Sequence, residues 1–118
     1  MKFTPSHEWI RVDGKIGTVG ITGYAQKELG EIVHIELPKV GSIVKAGDEV
    51  CVLESTKSAT DIYSPVSGKI VAVNPALKSS ADPLNQSPEM NGWLYQIELS
   101  SMKEVDQLLS RSQYDGTF

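Results

Sequence analysis

The sequence predicts an all-β domain with two helical segments, and three observations carry that expectation. Short stretches alternate polar with apolar residues, as in Thr60-Asp61-Ile62-Tyr63, the period-two pattern of a half-buried strand. Glycines at Asp13-Gly14, Gly41, Gly47 and Gly68 punctuate these stretches, and glycine accepts the positive φ that tight turns require. Helical spacing is confined to two places, near Tyr24 and close to the C-terminus. At 118 residues, the chain fits one domain, residues 1–118, large enough to hold a core without metal or disulfide staples.

Each element follows in order. Trp9 and Ile10 open a first strand that runs through Val12 to the Asp13-Gly14 turn, and residues 15–21 return. Thr22 caps a short helix with Tyr24, Ala25 and Leu29 on one side and Gly30 at its end. Residues 31–37 form a strand that places Ile32, His34 and Glu36 on one face and Val33, Ile35 and Leu37 on the other. Pro38 stops it. Two glycine turns flank a short strand in 40–50, and the strand 49–53 follows. Val66-Ser67-Gly68-Lys69-Ile70 echoes the earlier Gly14-Lys15-Ile16 turn and strand, which fits a domain built from two similar halves. Residues 74–91 read as a long surface loop, and 92–99 as a closing strand with Trp93, Tyr95 and Ile97 on one face. Ser101 and Glu104 make a capping box for a helix over 101–109, whose stripe of Met102, Val105, Leu108 and Leu109 packs on the sheet. The tail 112–118 is expected to be frayed or loosely docked.

The composition narrows the function. Eleven basic against fifteen acidic residues give a net charge of −4, with no clustered Lys and Arg to face phosphates, which argues against nucleic-acid binding. Cys51, the only cysteine, reads as a core thiol between Val50 and Val52. No carboxylate, cysteine or second histidine stands at metal-ligand or triad spacing around His34, which is expected to face solvent. No apolar run is long enough to span a bilayer and no signal peptide is seen, so a soluble, cytoplasmic protein is expected.

The stretch with most information centres on Lys57. Strand 49–53 precedes it, strand 60–63 follows, and Ser55-Thr56-Lys57-Ser58 lies between them. Lys57 is thereby placed near the tip of a β-hairpin, its amine toward water, where an enzyme could modify it. Most lysines at exposed turns only keep a protein soluble; the surrounding residues separate the two readings.

The stretch Glu54-Ser55-Thr56-Lys57-Ser58-Ala59-Thr60-Asp61-Ile62-Tyr63-Ser64-Pro65-Val66-Ser67-Gly68 resembles the lipoyl-attachment segment of the glycine cleavage system H-protein family. His7-Glu8-Trp9, Asn85, Gly92-Trp93 and the Leu108-Leu109 helix stand where that family has them, so the likeness runs from His7 to Tyr114. The glycine pattern at 41–48 is shared by lipoyl and biotinyl domains generally. Departures are Thr56 for the usual valine, Ser58 for alanine, His34 for an apolar residue, and Glu89 where tyrosine is common.

The resemblance implies a barrel-sandwich hybrid fold and a lipoyl carrier with no catalytic residues of its own. Lipoic acid would be amide-linked to Lys57, with Glu54 and Gly68 recognised by a lipoate ligase or lipoyl transferase. Gly68 is expected to tolerate asparagine better than valine, through its backbone angle. The implied partners are a PLP-dependent glycine decarboxylase, a tetrahydrofolate-dependent aminomethyltransferase and dihydrolipoyl dehydrogenase, with the chain itself a monomer. Between these enzymes the carrier shuttles the aminomethyl group of glycine. Ser6, Glu8 and Asp61 are candidates for a pocket that shelters the loaded arm, since a protonated amine needs a carboxylate and polar partners. The alternatives are a lipoyl carrier serving another complex or relaying lipoate, a biotin carrier, and an unmodified interaction domain. Biotin carriers have methionine on both sides of the lysine, which Thr56 and Ser58 oppose.

Overall fold

The computed structural model describes residues 1–117. Two antiparallel sheets enclose the core. The larger takes the order β1-β2-β3-β9-β8-β5, from strands Lys2–Phe3, Glu8–Asp13, Ile16–Ile21, Tyr95–Leu99, Gly68–Val73 and Ile43–Val44 respectively. The smaller takes the order β4-β6-β7, from Ile32–Glu36, Glu49–Ser55 and Ala59–Tyr63. Ile10, Val19, Ile21, Ile70 and Ile97 of the first sheet meet Ile32, Leu53 and Ile62 of the second in one buried cluster. The two Gly-Lys-Ile segments flank β9 from opposite sides, with Ile16 and Lys69 both in register with Glu98.

Local chemistry explains the early elements. Trp9 is fully buried and stands opposite Gly20 in the β2–β3 pairing. Its indole lies across that glycine, where a Cβ would come within 2.7 Å of the ring, and its Nε1–H donates to the Pro88 carbonyl at 3.0 Å. Helix α1, Gly23–Leu29, starts with Thr22 Oγ1 accepting from the Ala25 amide and ends at Gly30 with φ 82°.

Three expectations change before the C-terminal region. The alternation in β4 breaks, because a bulge between Ile32 and His34 adds a residue to the strand. Ile32 is therefore buried while both Val33 and His34 are exposed, and Ile35 instead packs toward the core. The loop 74–91 contains a 3₁₀ turn, Pro75–Lys78, and helix α2, Asp82–Gln86. Leu77 and Leu84 anchor these to the core. The closing strand starts at Tyr95, and Trp93 packs instead on a satellite cluster of Phe3, Trp9 and Tyr114.

The C-terminus differs most. Helix α3, Lys103–Asp106, has no side-chain cap. Glu104 instead accepts from the Ser67 amide and hydroxyl, both at 2.8 Å. Two bonds to a distant strand outcompete the local box, and Met102 is left half-exposed while Val105 is buried. The capping box forms later, where Ser110 and Gln113 open helix α4, Arg111–Asp115. The expected loose tail is docked through Tyr114, 1% exposed and stacked on Phe3 with ring centroids 4.9 Å apart. Phe118 lies outside the described residues.

Candidate functional site

Strands β6 and β7 form a hairpin whose connection is Thr56-Lys57-Ser58. Ser55 organises it. Its amide donates to the Ser58 carbonyl at 2.8 Å. Its hydroxyl oxygen accepts from the amides of Lys57 and Ser58, each at 3.1 Å, the local turn chemistry of serine. The Thr56 amide donates to the Glu31 carbonyl at 3.2 Å, tying the tip to the start of β4. That start is held in turn by Asn85, whose side chain accepts from the Ile32 amide at 2.8 Å and donates to its carbonyl at 2.9 Å.

Lys57 is exposed on this rigid tip. Its side chain leans over the end of α1, with Cε and Nζ 3.8 and 3.9 Å from where a Cβ on Gly30 would stand. The amine thus lies beside the end of the helix while the residue stays exposed to water. Glu54 is exposed on β6, in register with His34 and Ala59 on its two neighbours.

Beside the hairpin runs a groove of about 530 Å³, formed by the segment Pro5-Ser6-His7-Glu8, by Ala25, Glu28 and Leu29 of α1, and by β7 from Ala59 to Tyr63.

 
The groove brings Ser6, Glu8 and Asp61 together along the outgoing strand of the lysine hairpin.

The three differ in setting. Asp61 is exposed, whereas Glu8 is 1% exposed. Glu8 Oε1 accepts from the hydroxyls of Ser6 at 2.6 Å and Thr4 at 2.5 Å. Oε2 takes one long bond from the Tyr63 amide at 3.4 Å and has lone-pair capacity for a further donor. Burial pushes the Glu8 carboxyl above its ordinary value, against the lowering effect of Ser6, Thr4 and Tyr63. A groove that holds one desolvated carboxylate among hydroxyls suits a small organic cation.

A stability prediction follows. An acid whose folded pKa is raised contributes stability below its unfolded value, here near 4.5, and loses it as pH rises through the folded value. Glu8→Gln removes that titration. Its melting temperature relative to the unaltered protein should therefore climb from pH 4.5 upward and then level off. Thermal melts across this range check it, and a constant difference would contradict it.

Gly68 lies elsewhere, in β8 between β5 and β9. A Cβ there would stand 2.0 Å from the Glu98 carbonyl oxygen. The glycine is needed for the close approach of two strands, so asparagine should be no milder than valine. Cys51 is buried, and desolvation, with Glu36 adding, pushes its thiol up to about 12, which makes it a poor nucleophile at neutral pH. Glu89, the departure from tyrosine, accepts from the Gly23 amide at 2.8 Å and pairs with Arg111 at 2.6 Å. Burial opposes its ionisation, yet those two partners hold it below the ordinary value. Among the described residues no group of three or more potential ligands is placed to hold a metal, and no helix is long and apolar enough to cross a membrane.

Sequence reasoning missed Thr4, the α1 side of the groove and the backbone of His7. Thr4 and His7 act through a loop closure that leaves no periodic signal; the α1 residues read only as a core face.

Comparison with known proteins agrees with this arrangement. The family model described as "Glycine cleavage H-protein" matches residues 1–118. The glycine cleavage system H protein of Carboxydothermus hydrogenoformans is 50% identical over 115 residues, covering 98% of this chain and 88% of that protein. That of Thermotoga maritima is 45% identical over 113 residues, covering 96% and 91%. A crystal structure of a glycine cleavage system H protein from Mycobacterium marinum superposes with a TM-score of 0.89 at 37% identity, covering 98% of this chain and 94% of that one. A barrel-sandwich fold, a lysine at the hairpin tip and full-length similarity lead to one conclusion: the chain belongs to the glycine cleavage H-protein family.

Proposed function

We propose that the chain is a single lipoyl-carrier domain, without catalysis of its own, that carries lipoic acid in amide linkage on Lys57 and moves the aminomethyl group of glycine between enzymes. The observation that supports it best is Lys57 on a rigid, exposed hairpin tip beside a groove holding a buried carboxylate. When bound, the lipoyl dithiolane supplies the sulfur that accepts the aminomethyl group.

The chain's own residues divide the rest of the work. Ser55 and Glu31 fix the tip, so that the tether, rather than diffusion, sets an effective concentration on the order of millimolar at a docked enzyme. Glu54 offers an exposed carboxylate three residues before Lys57 for recognition by a lipoate ligase or lipoyl transferase. Glu8 pairs with the protonated amine of the cargo, Ser6 completes its hydrogen bonds, and Asp61 adds negative charge at the groove edge. The partners are a PLP-dependent glycine decarboxylase, an aminomethyltransferase using tetrahydrofolate and dihydrolipoyl dehydrogenase, met by a monomer in the cytoplasm.

Reconstitution tests the reading. Lipoylated protein mixed with glycine decarboxylase should drive exchange between the glycine carboxyl and labelled bicarbonate. No exchange, with loading instead by a 2-oxoacid dehydrogenase complex, would contradict it and favour a carrier for another complex. Glu8→Gln should be lipoylated normally while the loaded carrier releases formaldehyde several-fold faster, on the scale of one lost charge-assisted bond, about tenfold. Equal release rates would remove Glu8 from the role.

A further inference from the structure

Among the described residues, His7 is the one non-glycine residue with positive φ, at 74°. Such a conformation persists where its surroundings over-determine it, and it gathers at functional sites. Here the surroundings are explicit. The His7 amide donates to the Thr4 carbonyl at 3.1 Å, and its carbonyl accepts from the Thr22 amide at 3.0 Å. Its Nδ1 lies 2.6 Å from the hydroxyl of Tyr114, which also lies 2.6 Å from Thr22 Oγ1.

These bonds join three parts of the chain. His7 lines the groove between Ser6 and Glu8, and Thr22 caps α1, which forms another groove wall. Tyr114 comes from the C-terminal helix and does not line the groove. With His7 left-handed, the Glu8 amide reaches Thr4 Oγ1 at 3.1 Å, and the Glu8 carboxylate meets the same hydroxyl and that of Ser6. Rotating His7 out of that region would turn the peptide that leads into Glu8 and break this set.

We infer that Tyr114 is a positioning residue: its hydroxyl, bridging His7 and Thr22, locks the left-handed His7 and so aims Ser6 and Glu8 into the groove. This rests on the arm-sheltering role proposed above. Tyr114→Phe keeps the ring on Phe3 and removes the bridging hydroxyl.

Amide hydrogen exchange on the lipoylated full-length chain, before any loading, reads the positioning directly. Tyr114→Phe should speed exchange at His7 and Glu8 by about fivefold, the scale of one hydrogen bond, while lipoylation of Lys57 stays unchanged. Val105→Ala is the control, since it removes volume from the main core, in a different cluster from Phe3, Trp9 and Tyr114; it should lower global stability and leave the exchange at His7 and Glu8 unaffected. In a His7→Asn background, where the left-handed region is tolerated and no imidazole meets Tyr114, Tyr114→Phe should add little. After loading, Tyr114→Phe should release formaldehyde faster by a similar factor. Equal exchange in Tyr114→Phe and the unaltered protein, or an equal rise in Val105→Ala, would overturn the inference. Because exchange is read before loading, it decides the role of Tyr114 separately from that of the arm.

Discussion

Gly68→Val should melt the protein roughly 20 °C lower, equivalent to a loss on the order of 4 kcal/mol. The cause is steric and independent of side-chain chemistry. β8 pairs with β9 through Gly68 opposite Leu99, and a Cβ at Gly68 would stand 2.0 Å from the Glu98 carbonyl oxygen and 3.0 Å from Ile97 Cγ1. Backbone cannot swing aside as a flexible side chain does, so the strands must part. That breaks ladder bonds and opens the core around Ile70 and Ile97, both fully buried. Gly68→Asn should fall as far, since it places the same Cβ against the Glu98 carbonyl. A melting temperature within a few degrees of the unaltered protein for either variant would show that the strand pair can relax. Where the melting temperature falls as expected, reduced lipoylation in these variants follows from the damaged strand pair.

The sequence made the local features legible and hid the distant ones. The lysine hairpin is written in adjacent residues, because strand alternation on both sides and a small polar turn are short-range signals. Thr22 and Gly30 around α1 are equally local, and both stand as read. The bulge at β4 was not readable, since an extra residue in a strand depends on the partner strand. Glu104 had two possible partners, and only the fold brings Ser67 within 2.8 Å. Glu8 carried no mark of burial in an otherwise polar segment, and its donors gather only when β1 and β2 close their loop. Tyr114 sits near the chain end, where fraying is the ordinary expectation. Phe3, His7 and Thr22, all about a hundred residues earlier, hold it in place.

Lys57→Arg should abolish lipoylation and leave the fold intact. Arginine keeps the positive charge and a similar length, but its delocalised guanidinium does not form the stable amide that the lysine amine does. The side chain is exposed and lies beside Gly30 at the end of α1, so stability should change by less than about 0.5 kcal/mol. The Thr56 and Ser58 amide bonds that shape the tip come from backbone and from Ser55, and the substitution leaves them in place. Any loss of modification is then a loss of the acceptor itself. Intact mass spectrometry with peptide mapping, after co-expression with a lipoate ligase, tests this most directly. The account predicts one lipoyl increment on the peptide containing Lys57 and none on the Lys57→Arg protein; an increment that survives the substitution, or that maps to another lysine, would contradict it.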